Sequence, residues 1–249
     1  MDARHLCISH APGPALYPAI DALHLVYGDT GGTCPWENPT NHRPALSAHL
    51  GSTAGITQGK KTLYRGLLDL IEGHHPAAAF VYPTGRGDGL GEEVDAVCSK
   101  VEKEKGIPVI AVHSEGPNGV KKSPCRVSCE ALFRLMGTGN TEGISPASVN
   151  ILGGEHNKGA IGEWVRYCHA LGVEVVSVLP ADCEVADIRR SHGAALNVVI
   201  SEGNLLQLAL MMEIEYGIPF FHVSGDGAGI PVEAFAAVKN GCVHRTSSR

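Results

Sequence analysis

Four times between residue 149 and residue 238, a short apolar run is followed by a segment with helical periodicity. Val149-Asn150-Ile151-Leu152 precedes Ile161, Trp164, Val165, Cys168 and Leu171 at helical spacing, and Gly172 closes that helix. The β-branched run 173–178 leads through residues 179–182 into a short helix near 185–190. Residues 196–200 form the third strand, followed by a helix with Leu205, Leu208, Met212 and Tyr216 on one face. Residues 218–223 form the fourth, before Gly225-Asp226-Gly227 and a helix through Glu233, Phe235 and Val238. Strands of this length need both faces covered, which predicts a parallel sheet with right-handed helical crossovers.

The first half repeats the rhythm. Strands are expected at 23–27, 78–82 and 107–112, with helices marked by Leu63, Leu67, Leu68 and Ile71 and by Val94, Val97, Cys98 and Val101. Residues 28–55, rich in Gly, Pro, Thr, Asn and His, read as one long irregular segment, the kind that carries function or moves. Residues 137–146 read as a linker, giving two domains, 1–145 and 146–249, each an α/β parallel-sheet unit.

Composition narrows the functions. The net charge of −6 leaves no general basic surface for nucleic acid or anionic membrane. No apolar stretch reaches the roughly 18 residues of a membrane span, and the first residues lack a secretory apolar segment, so a cytoplasmic setting is expected. The eight cysteines are scattered without a CxxC pair, which favours thiols over a disulfide framework.

Ligands of open parallel sheets collect where strands end. The loops there are 28–34, 83–91, 113–119, 153–159, 180–183, 201–204 and 224–229. Several enter helices whose first amides favour anions, and Arg86 and Lys158 add positive charge. Arg86 and Gly87 in one loop, and Gly154, His156 and Lys158 in another, are candidate cofactor-binding residues. Glycines making turns are the plainer reading. No P-loop, dinucleotide fingerprint, GxSxG elbow or HExxH is present. His74-His75 reads as a helix end. Cys125 and Cys129 share a helix face, as a metal or redox pair or, preferably, as one exposed and one buried thiol. Cys34, in a strand-end loop, and Cys7 upstream are the best candidate metal ligands.

Several segments, in order, resemble the nitrogenase component 1 family, and most of all its alpha-type cofactor-assembly scaffold subunit. They are Gly59-Lys60-Lys61-Thr62-Leu63-Tyr64, Ala79-Phe80-Val81-Tyr82, Gly106-Ile107-Pro108-Val109-Ile110, Val149 through Asn157, Leu171-Gly172-Val173-Glu174-Val175, Ala195-Leu196-Asn197-Val198-Val199 and Glu215-Tyr216-Gly217-Ile218-Pro219. The resemblance implies two consecutive Rossmann-like domains, with the family's third domain not in evidence. It also implies an iron–sulfur cluster at a subunit interface. Of the family's three first-domain ligand cysteines, Cys7 matches the first. The second falls near Gly32, two residues before Cys34, and the third on Gly85. A cysteine that anchors the catalytic cofactor in the alpha subunit matches Ser201, a poor ligand for soft iron–sulfur chemistry.

The resemblance thus implies work in metallocluster or cofactor assembly or carriage, in a homo- or hetero-oligomer with a nitrogenase-like subunit. The alternatives are a reductase subunit fed by an ATP-driven iron protein, its cluster bridged by Cys7 and Cys34 of two chains, and a cluster-free interaction or regulatory module.

Overall fold

In the computed structural model, the strands of each half stack in parallel around the first strand of that half. The structure describes residues 21–28, 46–50, 56–84, 90–113, 122, 124–153, 158–180, 183–200 and 204–223. The candidates Cys7, Cys34, Arg86, Gly87, Gly154, His156 and Ser201, and the helix expected through Phe235, lie outside them.

The first sheet holds β1 (Ala22–Gly28), β2 (Leu46–Leu50), β3 (Ala78–Thr84) and β4 (Val109–Ala111) in the order β2-β1-β3-β4, every pair parallel. One face of β1 carries Leu23, Leu25 and Tyr27. These pack with Leu63, Leu67 and Ile71 of α1 (Ile56–His74) and with Val94, Val97, Cys98 and Val101 of α2 (Leu90–Lys105). The apolar periodicity read from the sequence is therefore the buried stripe of each helix.

β2 corrects the sequence reading, which took 28–55 as wholly irregular. Among the described residues, Leu46-Ser47-Ala48-His49-Leu50 pairs only with β1, from Leu23↔Leu46 to Tyr27↔Leu50. An edge strand of five residues containing Ser, Ala and His carries little β-propensity of its own, and register with β1 holds it.

The second sheet holds β5 (Ser148–Gly153), β6 (Glu174–Pro180), β7 (Leu196–Val199) and β8 (Phe220–His222) in the order β6-β5-β7-β8, again all parallel. Val149, Ile151, Leu196, Val198 and Ile200 pack on Ile161, Trp164 and Cys168 of α4 (Lys158–Ala170). α3 (Pro124–Leu135), α5 (Val185–Arg190) and α6 (Asn204–Tyr216) complete the described helices, with a 3-10 turn at Ser191–Gly193. Cys98, Cys129, Cys168 and Cys183 are buried. Cys129 thus takes the buried role expected of one member of the Cys125/Cys129 pair.

Contacts divide the chain into two units between Ala131 and Leu132. The sequence reading divided it at 145/146, following the linker's composition. Hydrogen bonds tie the start of that linker to the second unit. Arg189 donates from Nε to Thr138 Oγ1 at 2.9 Å and from Nη2 to the Thr138 carbonyl at 3.0 Å, and Gly139 N donates to the Arg189 carbonyl at 3.1 Å. A Cβ on Gly139 would lie 2.7 Å from the Arg189 carbonyl carbon. The obstacle is backbone, which no rotamer change relieves. Gly139→Ala is expected to cost about 1–3 kcal/mol, read as a lowered urea midpoint. An unchanged midpoint would show that this approach is looser than described.

Candidate functional site

Each sheet has one place where successive connections diverge. In the first, β1 connects outward to β2 and β3 connects the other way to β4, so the switch lies between β1 and β3. Gly28 and Thr84, the last residues of those strands, are direct partners. The segments beginning at residues 29 and 85 therefore leave side by side. They contain Cys34, and Arg86 with Gly87.

In the second sheet the switch lies between β5 and β7. Leu152 pairs with Val199, and Ile200 N donates to the Leu152 carbonyl at 2.8 Å. From here the segment with Gly154 and His156, and that with Ser201, leave adjacent strands. Gly153 lets α4 close on the strand end, since a Cβ there would lie 2.8 Å from Ile161 Cδ1. Lys158 is the first residue of α4, placed where free amides and the helix dipole favour an anion. In sequence, the cofactor-binding candidates follow closely on these strand ends: Arg86 and Gly87 come after Thr84, Gly154 and His156 after Gly153, and Ser201 after Ile200.

His113 follows the carboxyl end of β4, and its Nε2 lies 3.1 Å from Asp95 Oδ2 of α2. Among the described residues, no group of three or more His, Cys, Asp or Glu could hold a metal ion.

Two buried polar groupings escaped the sequence reading. His24, on the face of β1 away from α1 and α2, stacks on Phe80 at 5.2 Å and Tyr82 at 5.9 Å between ring centroids. Its Nδ1 lies 2.8 Å from the Tyr82 hydroxyl, in a hydrogen bond whose direction is set by the ring's tautomer. Burial pushes the imidazole down to about 4, and burial raises Tyr82 well above the usual phenol range. On the second sheet, Asn150 Nδ2 donates to Asn197 Oδ1 and to the Ser191 carbonyl, both at 2.8 Å, and Ser177 Oγ donates to Asn150 Oδ1 at 2.7 Å. The usable signal was one polar residue at matching parity in several neighbouring strands.

A family model described as nitrogenase component 1 type oxidoreductase matches residues 15–225. The nitrogenase iron-molybdenum cofactor biosynthesis protein NifE of Clostridium pasteurianum is 32% identical over 230 residues, 89% of this chain and 50% of that protein. NifE of Methanococcus maripaludis is 29% identical over 248 residues, 96% of this chain and 51% of that protein. A solved structure described as nitrogenase Cp1 at pH 5 superposes with a TM-score of 0.70 at 26% identity, covering 96% of this chain and 52% of that one. The chain thus spans about half the length of the curated relatives it matches. The family match runs through both parallel sheets and their switch points, and on that ground the chain belongs to the nitrogenase component 1 type oxidoreductases.

Proposed function

We propose that this chain works in the assembly or carriage of a metallocluster cofactor. The observation that carries the reading is the likeness of nearly the whole chain to proteins named for iron-molybdenum cofactor biosynthesis, from a bacterium and an archaeon. The switch points support it, since Cys34 and the anion-binding candidates follow in sequence on the strands that flank them.

Cys7 and Cys34 supply soft thiolates suited to iron and sulfide. Two thiolates meet half of a four-thiolate demand, so a cluster held this way bridges two chains. The hydroxyl of Ser201 does not fit an iron–sulfur ligand, and Gly85 offers no donor. In the first unit Arg86 would balance a cluster's negative charge beside Gly87; Lys158, with Gly154 and His156, is a separate anion-binding candidate in the second unit. The proposed partners are a second copy or a nitrogenase-like subunit and an ATP-driven iron protein, in the cytoplasm. Among the described residues no helix is long and apolar enough to cross a membrane.

Anaerobic purification with iron, acid-labile sulfide, visible spectrum and native mass tests this. The expected product is a brown dimer with about four irons per pair. Cys7→Ala and Cys34→Ala should each lose most of the iron. Unchanged iron in both variants would remove these two residues as ligands, and a colourless protein that resists reconstitution would end the cluster reading.

A further inference from the structure

A row of polar side chains crosses the second sheet on the face away from α4, in the midst of apolar neighbours. Ser177 of β6 and Asn150 of β5 are register partners, as are Asn150 and Asn197 of β7. Their hydrogen bonds all run one way. Ser177 donates to Asn150 Oδ1, and Asn150 donates to Asn197 Oδ1. The orientation of both amides follows from the Ser191 carbonyl, a pure acceptor, which must face Asn150 Nδ2.

Asn197 Oδ1 is therefore committed toward β5, and its amino group faces away. That Nδ2 is buried with no hydrogen-bond partner, on a residue with no exposed surface. The strand on that side is β8. Phe221 pairs with Val198 and packs in the α4 cluster, so by alternation Phe220 and His222 share the face of Asn197. His222 Nε2 is also buried without a partner. Among the described residues, two unsatisfied polar atoms thus belong to residues on one face of adjacent strands, His222 lying two residues beyond the direct partner of Asn197. Strand spacing and rise put their Cα atoms about 8 Å apart, a separation that one water between the side-chain ends can close.

We infer that Asn197 and His222 hold a buried water molecule that continues the hydrogen-bonded row from β5 through β7 to the edge strand β8. Leaving both atoms bare would cost far more than ordering one water, and native interiors rarely tolerate such a pair. The water makes β8 part of the polar row that already joins β6, β5 and β7, and so steadies the strand that flanks β7 on the side away from the second switch point. The inference rests on the packing of this sheet alone and stands whether or not the protein carries a cluster.

A high-resolution crystal structure of the wild-type chain decides it. The expected result is one ordered water about 2.7–3.2 Å from both Asn197 Nδ2 and His222 Nε2. An empty gap, or a direct contact between the side chains, overturns it. A double-mutant cycle of Asn197→Leu and His222→Leu gives a second reading. A shared water makes the second substitution cheaper once the first is made, by about tenfold in the folding equilibrium. Strict additivity overturns the inference, and if the double variant fails to fold, the wild-type density decides.

Discussion

Lowering the pH from 6.5 to about 4 is expected to destabilise the first sheet by on the order of 3 kcal/mol through His24 alone. The unfolded chain takes up the imidazole proton near 6.5, while burial in the folded chain resists it until about 4. Across that window the unfolded state binds more protons, so stability falls as pH falls. The contribution is complete above 6.5 and is spent below about 4. Among the described residues the ring faces Phe80 and the Tyr82 hydroxyl, and the latter is itself held neutral by burial. Urea denaturation followed by far-ultraviolet circular dichroism from pH 7.5 to 4 measures the slope. Carboxylates elsewhere add their own slope near the acid end, so the comparison is with His24→Gln. That variant keeps a neutral hydrogen-bonding group beside Tyr82 and should lose most of the dependence between pH 6.5 and 5. Equal slopes for the two proteins would mean that His24 is not buried in this way.

Asn150→Leu should be the most damaging polar substitution in the second sheet, at about 3–5 kcal/mol. It orphans the Ser177 hydroxyl and Asn197 Oδ1 at once, and leaves the Ser191 carbonyl with the Ala194 N–H at 3.2 Å, all in residues that are buried. Ser177→Ala removes one donor from the same row and should cost about 1 kcal/mol. Similar urea midpoints for the two variants would show that the row does not act as a connected unit.

The difference between what could be read from the sequence and what could not is physical. The strands 78–84 and 148–153 read as continuous apolar runs because both their faces are buried, and the helix 158–170 shows helical periodicity because it buries one stripe on the sheet. Even the six-residue helix Val185–Arg190 was legible, with Asp187 in its first turn and two arginines in its last. β2 was not, because pairing with β1 decides its conformation and its residues do not. Asn150 and Asn197 were read simply as strand, since only the neighbouring strand shows that their amides meet. For the candidate site, the sequence located the loops at strand ends, and the strand order added which of them leave together. Ser201 and Arg86 belong to different switch points, a distinction invisible in linear order.

The central placement of β1 and β5 bears on how the protein is made. Each emerges from the ribosome before either of its neighbours. Roughly 50 residues separate Gly28 from Ala78, so at 5–20 residues per second β1 waits roughly 3–10 s for β3. β5 waits nearly as long for β7. For those seconds an apolar strand has at least one unpaired edge exposed, first in one unit and then again in the other. The nascent chain is at greatest risk of wrong pairing with other chains in these two intervals, and slowing translation just after Gly28 or Gly153 should reduce soluble yield more than slowing it after β3 or β7.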